Sequence, residues 1–212
     1  MSRLQRAGRF VAQEGWGGFV QLVWTRLTLL ALGRPRSIVI ELDLTGLGDV
    51  GKPRVEAECR WLDAERIGLL VQRSYTSRAE IDRRLGEGER CLLVFSGDVL
   101  LAYVWAAFGR APMPELKQIR PLATDEVYVY NSRTFPEARG KGIYTYMMHS
   151  TAALLRDEGY RRMIGLIFEN NVAPLRGTRK VGFQAISIES SGGLLARPAA
   201  RATSWAEIFG EA

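Results

Sequence analysis

The sequence predicts an α/β fold preceded by an amphipathic N-terminal helix, and three observations carry that expectation. Segments with a two-residue hydrophobic period alternate with segments of helical period, and the changes fall at glycine, proline or capping residues. One such change joins a strand to a helix through a basic, glycine-rich turn at residues 134–144. The composition suffices for a single core: 212 residues are 47% hydrophobic and 25% charged, and a chain of this size buries roughly 70% of the surface its unfolded form exposes.

Residues 1–35 read as a basic, apolar helical extension. Up to Arg36 the chain holds Arg3, Arg6, Arg9, Arg26, Arg34 and Arg36 against Glu14 alone, which is +5 of the net +6. That asymmetry makes this stretch the contact for phosphates or an anionic membrane, and no nucleic-acid partner is expected for the nearly neutral remainder. Wound at about 100° per residue, Gln21, Thr25 and Thr28 form a narrow polar stripe, while Phe19, Val20, Val23, Trp24, Leu27 and Leu30 lie opposite. Polar residues interrupt 16–32 too often for a span of about 20 apolar residues, and no clean cleavage site follows. Two readings fit residues 1–33: a helix packed on its own domain or on a twin subunit, and an interfacial membrane helix. The expected location is cytoplasmic, peripheral at the inner face of the membrane under the second reading.

The domain proper, 36–212, opens after Gly33-Arg34-Pro35. Residues 37–44 and 54–61 alternate as strands, which makes 45–53 a hairpin loop. That loop satisfies both GxGxxG and the start of GxxxxGK, yet Pro53 stands where a phosphate loop needs Ser or Thr, and no helix follows; a glycine-rich turn is the reading. Asp63 caps a helix to about residue 72, and Ser77-Arg-Ala-Glu80 is a capping box for another to about residue 85. Residues 90–96 and 99–107 form a hairpin around Gly97-Asp98. A loop with Pro112, Pro114 and Pro121 follows, then a strand at 125–134, a helix at 141–157, a strand at 162–168, a short helix at 173–180 and a strand at 183–189.

Cys59 and Cys91 stand 32 positions apart and His149 is the only histidine, so a Cys/His zinc cluster is excluded and no metal is expected. The chemistry concentrates instead in Phe135-Pro-Glu-Ala-Arg139-Gly140-Lys141-Gly142-Ile143-Tyr144. A strand feeding an Arg-Gly-Lys-Gly turn into a helix N-terminus offers unpaired amides, a positive dipole end and two cations to a pyrophosphate. Gly140 and Gly142 remove side chains that would block the approach.

This segment resembles the acyl-coenzyme A loop of the GNAT acyltransferase superfamily, Arg/Gln-x-x-Gly-x-Gly/Ala at the start of the central helix. Arg139 and Gly142 match, and Tyr144 stands at the last position. A second matching block is Asn171-Val-Ala-Pro-Leu-Arg176-Gly-Thr178-Arg-Lys180-Val-Gly182-Phe183, where the superfamily has an Asn, a short helix and a Lys-x-Gly-Phe ending. The resemblance covers about 54–189. It implies a mixed, mostly antiparallel central sheet splayed at the cofactor site and flanked by helices. It implies acetyl-CoA or another acyl-CoA as cofactor, bound by Thr134, Phe135, Arg139, Gly140, Lys141, Gly142, Ile143, Tyr144 and, for the pantetheine arm, Asn171. Arg179 and Lys180 are assigned no role.

The implied reaction is direct attack of an amine on the thioester in a ternary complex, with a strand amide polarising the carbonyl and an acid protonating the leaving thiolate. The superfamily's usual tyrosine acid is replaced by Thr178, and a hydroxyl is a far poorer acid than a phenol of pKa about 10. Tyr144 and Tyr146 are the nearest substitutes. On the preceding strand, alternation puts Glu126, Tyr128, Tyr130 and Ser132 on one face, with Glu126 there for proton transfer or substrate binding. His149 is read as packed or surface. The expected acceptor is a small-molecule or lipid-linked amine, such as an amino sugar or a precursor at the membrane, with a small soluble amine or a protein N-terminus as the alternatives. The rival expectation is a non-catalytic acyl-CoA-binding or membrane-tethered interaction module.

Overall fold

The computed structural model describes residues 36–49, 53–191 and 199–211. The predicted amphipathic helix of residues 1–35 lies outside the described residues. Among the described residues ten strands and five α-helices follow in the order β1 (Arg36–Asp43), β2 (Glu58–Trp61), α1 (Ile67–Arg73), α2 (Arg78–Gly86), β3 (Arg90–Ser96), β4 (Val99–Phe108), β5 (Arg110–Met113), β6 (Gln118–Pro121), β7 (Glu126–Thr134), α3 (Ile143–Asp157), β8 (Arg162–Phe168), α4 (Val172–Val181), β9 (Gln184–Ser190), β10 (Ala199–Ala202) and α5 (Trp205–Phe209). Eight strands form one mixed sheet in the order β10-β9-β1-β8-β7-β4-β3-β2. Every adjacent pair is antiparallel except β7 and β8. The mostly antiparallel α/β architecture is the expected one.

Both faces of the sheet are covered. Leu92 and Val94 of β3 join Ile143, Met147 and Leu155 of α3 and Leu175 of α4 in one cluster. Their neighbours Cys91, Leu93 and Phe95 pack with Ile67 and Leu70 of α1 and Ile81 of α2 on the other face. Burial of both faces turns β3 and β4 into continuous apolar runs. Local signals set the ends: Asp63 accepts from the Arg66 amide, and Ser77 accepts from the Glu80 amide at the start of α2.

Three expectations are corrected. Residues 45–53 do not join a hairpin: β1 lies between β8 and β9, while β2 pairs with β3 at the far edge. Ile38, Val39, Ile40 and Leu42 are all buried, the signature of an interior strand whose partners lie far along the chain. The predicted strand 54–61 is extended only from Glu58, because Arg54 donates its amide to the Lys141 carbonyl and Ala57 accepts from the Tyr146 hydroxyl, drawing this stretch against α3. The proline-containing loop is a two-stranded arm, with β5 and β6 pairing Pro112 opposite Ile119.

Candidate active site

The parallel pair β7 and β8 is short. Residues 126–129 pair with 162–165, and beyond them β7 follows β4 while β8 follows β1. A bulge in β7 accompanies the divergence: Tyr103 lies opposite Arg133 and Trp105 opposite Tyr130, so β7 spends one residue more than β4. Asn131 takes a left-handed φ of 47° there, which Asn tolerates better than most residues. The bulge breaks the predicted alternation: Tyr130 stacks on Tyr128 and under the Arg84 guanidinium, whereas Ser132 faces Tyr144 of α3.

The diverging strands open a cleft of about 840 Å³ closed by the N-termini of α3 and α4. Gly140 and Gly142 have φ of 72° and 80°, which puts the turn in the region glycine adopts most cheaply. Helix α3 has no side-chain cap at Gly142, so its first amides are offered to the cleft. Arg139 bonds the Thr134 carbonyl through Nε at 3.4 Å. Arg133, Arg139, Arg176 and Lys180 line this cleft, and among the described residues no carboxylate does. The Thr134 hydroxyl is buried with no protein partner. Such a wall fits an elongated polyanion with a polar arm.

Seven of the nine predicted cofactor residues line the cleft: Thr134, Arg139, Gly140, Gly142, Ile143, Tyr144 and Asn171. Phe135 does not; it is 1% exposed, lies under Arg73 and Arg133, and gives its amide to the Leu101 carbonyl. Lys141 does not line it either.

The predicted catalytic residues are dispersed. Tyr144 lines the cleft, and burial pushes its phenol up to about 12 against an opposing hydrogen bond with Ser132. Tyr146 points away and donates to the Ala57 carbonyl at 3.0 Å. Glu126 sits at the closed end of β7, 2.6 Å from Arg162 and accepting the Ala123 amide. Tyr128 is 1% exposed in a cluster with Ala107, Met113 and Leu116, and burial raises its phenol. Thr178 turns its hydroxyl back to the Pro174 and Leu175 carbonyls. His149 bonds the Gly48 carbonyl at 2.6 Å.

Arg176, Gly177 and Lys180 also line the cleft, where sequence reasoning did not place them. A Cβ on Gly177 would lie 2.6 Å from Cδ1 of Tyr144, so this glycine is what lets the tyrosine ring lie against α4.

A second cavity, of about 490 Å³, lies between the turn joining α1 to α2 and the bulge, and shares Asn131, Ser132 and Arg133 with the cleft. Arg84, 8% exposed, reaches it from α2, bonding Glu80 at 2.8 Å and stacking on Trp105. With the Asn131 amide oriented to satisfy its hydrogen bonds, its oxygen accepts from Arg84 at 2.9 Å. Among the described residues no group of three or more His, Cys, Asp or Glu gathers to hold a metal ion, and no helix is long and apolar enough to cross a membrane.

Residues 57–183 match the Acetyltransferase (GNAT) family. Among solved structures, a protein from the GNAT family of Novosphingobium aromaticivorans is 15% identical with a TM-score of 0.51, over 71% of this chain and 60% of that one. A GNAT superfamily phosphinothricin acetyltransferase from Sinorhizobium meliloti, solved in complex with AcCoA, is 19% identical with a TM-score of 0.50, over 69% of this chain and 85% of that one. A GNAT-family acetyltransferase from Colwellia psychrerythraea is 14% identical with a TM-score of 0.51, over 72% of this chain and 53% of that one. The chain thus spans less than two thirds of the Novosphingobium and Colwellia proteins, and at these identities the likeness speaks for the fold. No curated protein matches the chain.

Proposed function

The chain belongs to the GNAT acetyltransferase family, and from that premise we propose that it is an acyl-coenzyme A-dependent N-acyltransferase. The observation that carries the proposal is the cleft between β7 and β8, walled by four cations and entered by the uncapped N-terminus of α3. The amides of residues 142–144 together with Arg139, Arg176 and Lys180 would hold the phosphates, and Thr134 and Asn171 the polar arm. The bound acyl-coenzyme A supplies an activated thioester: the amine nitrogen forms the C–N bond, the C–S bond breaks, and the sulfur leaves as thiol with the proton the amine gives up.

The bulge of β7 offers backbone amides where the two cavities meet, the position from which a developing oxyanion is stabilised. Tyr144 is proposed as hydrogen-bond donor to the departing sulfur. Its phenol, pushed up to about 12 by burial, keeps its proton throughout the physiological range. The one carboxylate in the second cavity, Glu80, is brought down to about 2 by its hydrogen bond to Arg83, against its own desolvation and with help from Arg84, so it accepts no proton at neutral pH. The amine accordingly reacts in its neutral form.

The basic, apolar residues 1–35 are proposed as a membrane contact. Support comes from their exit point: Arg36 begins β1 beside Ser37, which lies opposite Phe168, where β8 runs into the cleft. Co-sedimentation with anionic vesicles that weakens with salt tests this, and salt-independent dimerisation without lipid would replace it.

The function is tested by following free thiol while acetyl-CoA is offered with a panel of amines. Amine-dependent thiol release with an N-acetyl product is the expected result. Tight cofactor binding with no release on any amine would favour a non-catalytic binding module, for which Thr178, its hydroxyl turned into its own helix, is the supporting feature.

A further inference from the structure

We propose that the second cavity selects a compact amine carrying an anionic oxygen group, a carboxylate or a phosphate, and that Arg133 is the residue that recognises it. The proposal rests on the acyltransferase reading for which cavity holds the acceptor.

Position comes first. This cavity meets the cofactor cleft at Asn131, Ser132 and Arg133, so a molecule held in it presents its amine at the bulge. Size and lining come next. About 490 Å³ suits a small molecule, and every residue that lines the cavity carries a polar side-chain atom. A lipid or acyl chain there would strip water from hydroxyls and guanidinium groups and return nothing to them.

Charge decides the class. The wall holds two guanidinium groups, Arg84 and Arg133, against one carboxylate, Glu80. Glu80 is closed by ion pairs at 2.8 Å to both Arg83 and Arg84, so it has little to offer a second ammonium group. Arg133 is held differently. Its guanidinium lies 4.1 Å above the Tyr75 ring and donates to the Tyr75 hydroxyl at 2.8 Å, which fixes the plane of the fork in the cavity wall. The Ser77 hydroxyl accepts the Glu80 amide, which leaves its own proton to donate, and Thr76 stands beside it. A planar cation with hydroxyl donors at its side matches an oxyanion.

The experiment uses the full chain saturated with acetyl-CoA and two matched pairs: glycine against glycinamide, and glucosamine 6-phosphate against glucosamine. Rates are corrected for the fraction of neutral amine. The anionic member of at least one pair is expected to exceed its neutral partner in kcat/KM by about tenfold or more, and the responding pair identifies carboxylate or phosphate as the source. Arg133→Gln should bring that ratio towards one, and Arg133→Lys should restore part of it. A ratio near one for both pairs, or a preference kept in Arg133→Gln, overturns the proposal. A second readout does not need turnover: the Arg133 side-chain Nε resonance of the CoA-saturated protein, titrated with the same four compounds. Movement with anionic members alone supports the site even if no thiol is released, in which case the acyltransferase reading fails by itself. No movement with any of the four overturns the site.

Discussion

Replacing a glycine by alanine inside a helix ordinarily stabilises by about 1 kcal/mol, and Gly177→Ala in α4 is expected to do the reverse. The added Cβ would lie 2.6 Å from Cδ1 and 2.9 Å from Cε1 of Tyr144, where carbon atoms normally rest at about 3.5–4.0 Å. An overlap of roughly 1 Å against a ring held between two helices carries the usual overpacking cost of about 1–3 kcal/mol. After the helix gain is subtracted, the net loss is about 0–2 kcal/mol, a fall in Tm of up to several degrees at about 2–4 °C per kcal/mol. Tyr144 lines the cleft, so a displaced ring should lower acetyl-CoA affinity several-fold as well. Gly68 in α1, with nothing within 4 Å of its added Cβ, is the internal control: Gly68→Ala should raise Tm. Combining Gly177→Ala with Tyr144→Ala should abolish the penalty, because the two changes act on one contact. Calorimetry and acetyl-CoA titration of these variants are the assay. The reasoning is refuted if Gly177→Ala raises Tm as much as Gly68→Ala does and leaves the titration unchanged.

Gly142→Asp should lose acetyl-CoA binding far beyond its fold cost, since φ of 80° costs a side chain about 1–2 kcal/mol and the new anion faces a wall of cations; unchanged affinity in a folded variant would place the phosphates elsewhere. Arg176→Glu and Lys180→Glu should each weaken cofactor binding and flatten its salt dependence, and titrations at low and high ionic strength check this. Tyr144 and Tyr103, both pushed up to about 12 by burial, favour the fold in their protonated state: the stability they add is complete below the unfolded phenol value of about 10 and is lost as pH rises towards 12. Denaturant melts from pH 8 to 12 should therefore decline over that interval and decline less in Tyr144→Phe, while an activity limb below pH 9 that disappears in Tyr144→Phe would contradict the assignment.

Legibility in the sequence followed the range of the interactions. The capping box at Ser77, the Gly97-Asp98 hairpin and the strand–turn–helix around Gly140 and Gly142 are local, and each stands where its residues indicated. The partners of β1 were not legible, because an apolar run reveals that both faces are buried but not which strands flank it. The same limit hid the arm of β5 and β6. At the site, the turn proposed to bind phosphates was legible because glycines and cations adjoin in sequence. Tyr146 was chosen by nearness along the chain and Glu126 and Tyr128 by alternation along β7, and one extra residue at the bulge, with no sequence signal beyond an Asn, turned Ser132 to the other face. The pairing of Tyr144 with Gly177 joins residues 33 positions apart, so only the packing of α3 on α4 brings it into view.

The central claim, that the divergence of β7 and β8 is an acyl-coenzyme A cleft, is tested most directly by backbone amide resonances during titration with coenzyme A. The account predicts saturable shifts at Gly140, Gly142, Ile143 and Tyr144, with smaller ones at Asn171 and at the bulge. Saturable binding that leaves the amides of 140–144 unmoved would contradict it.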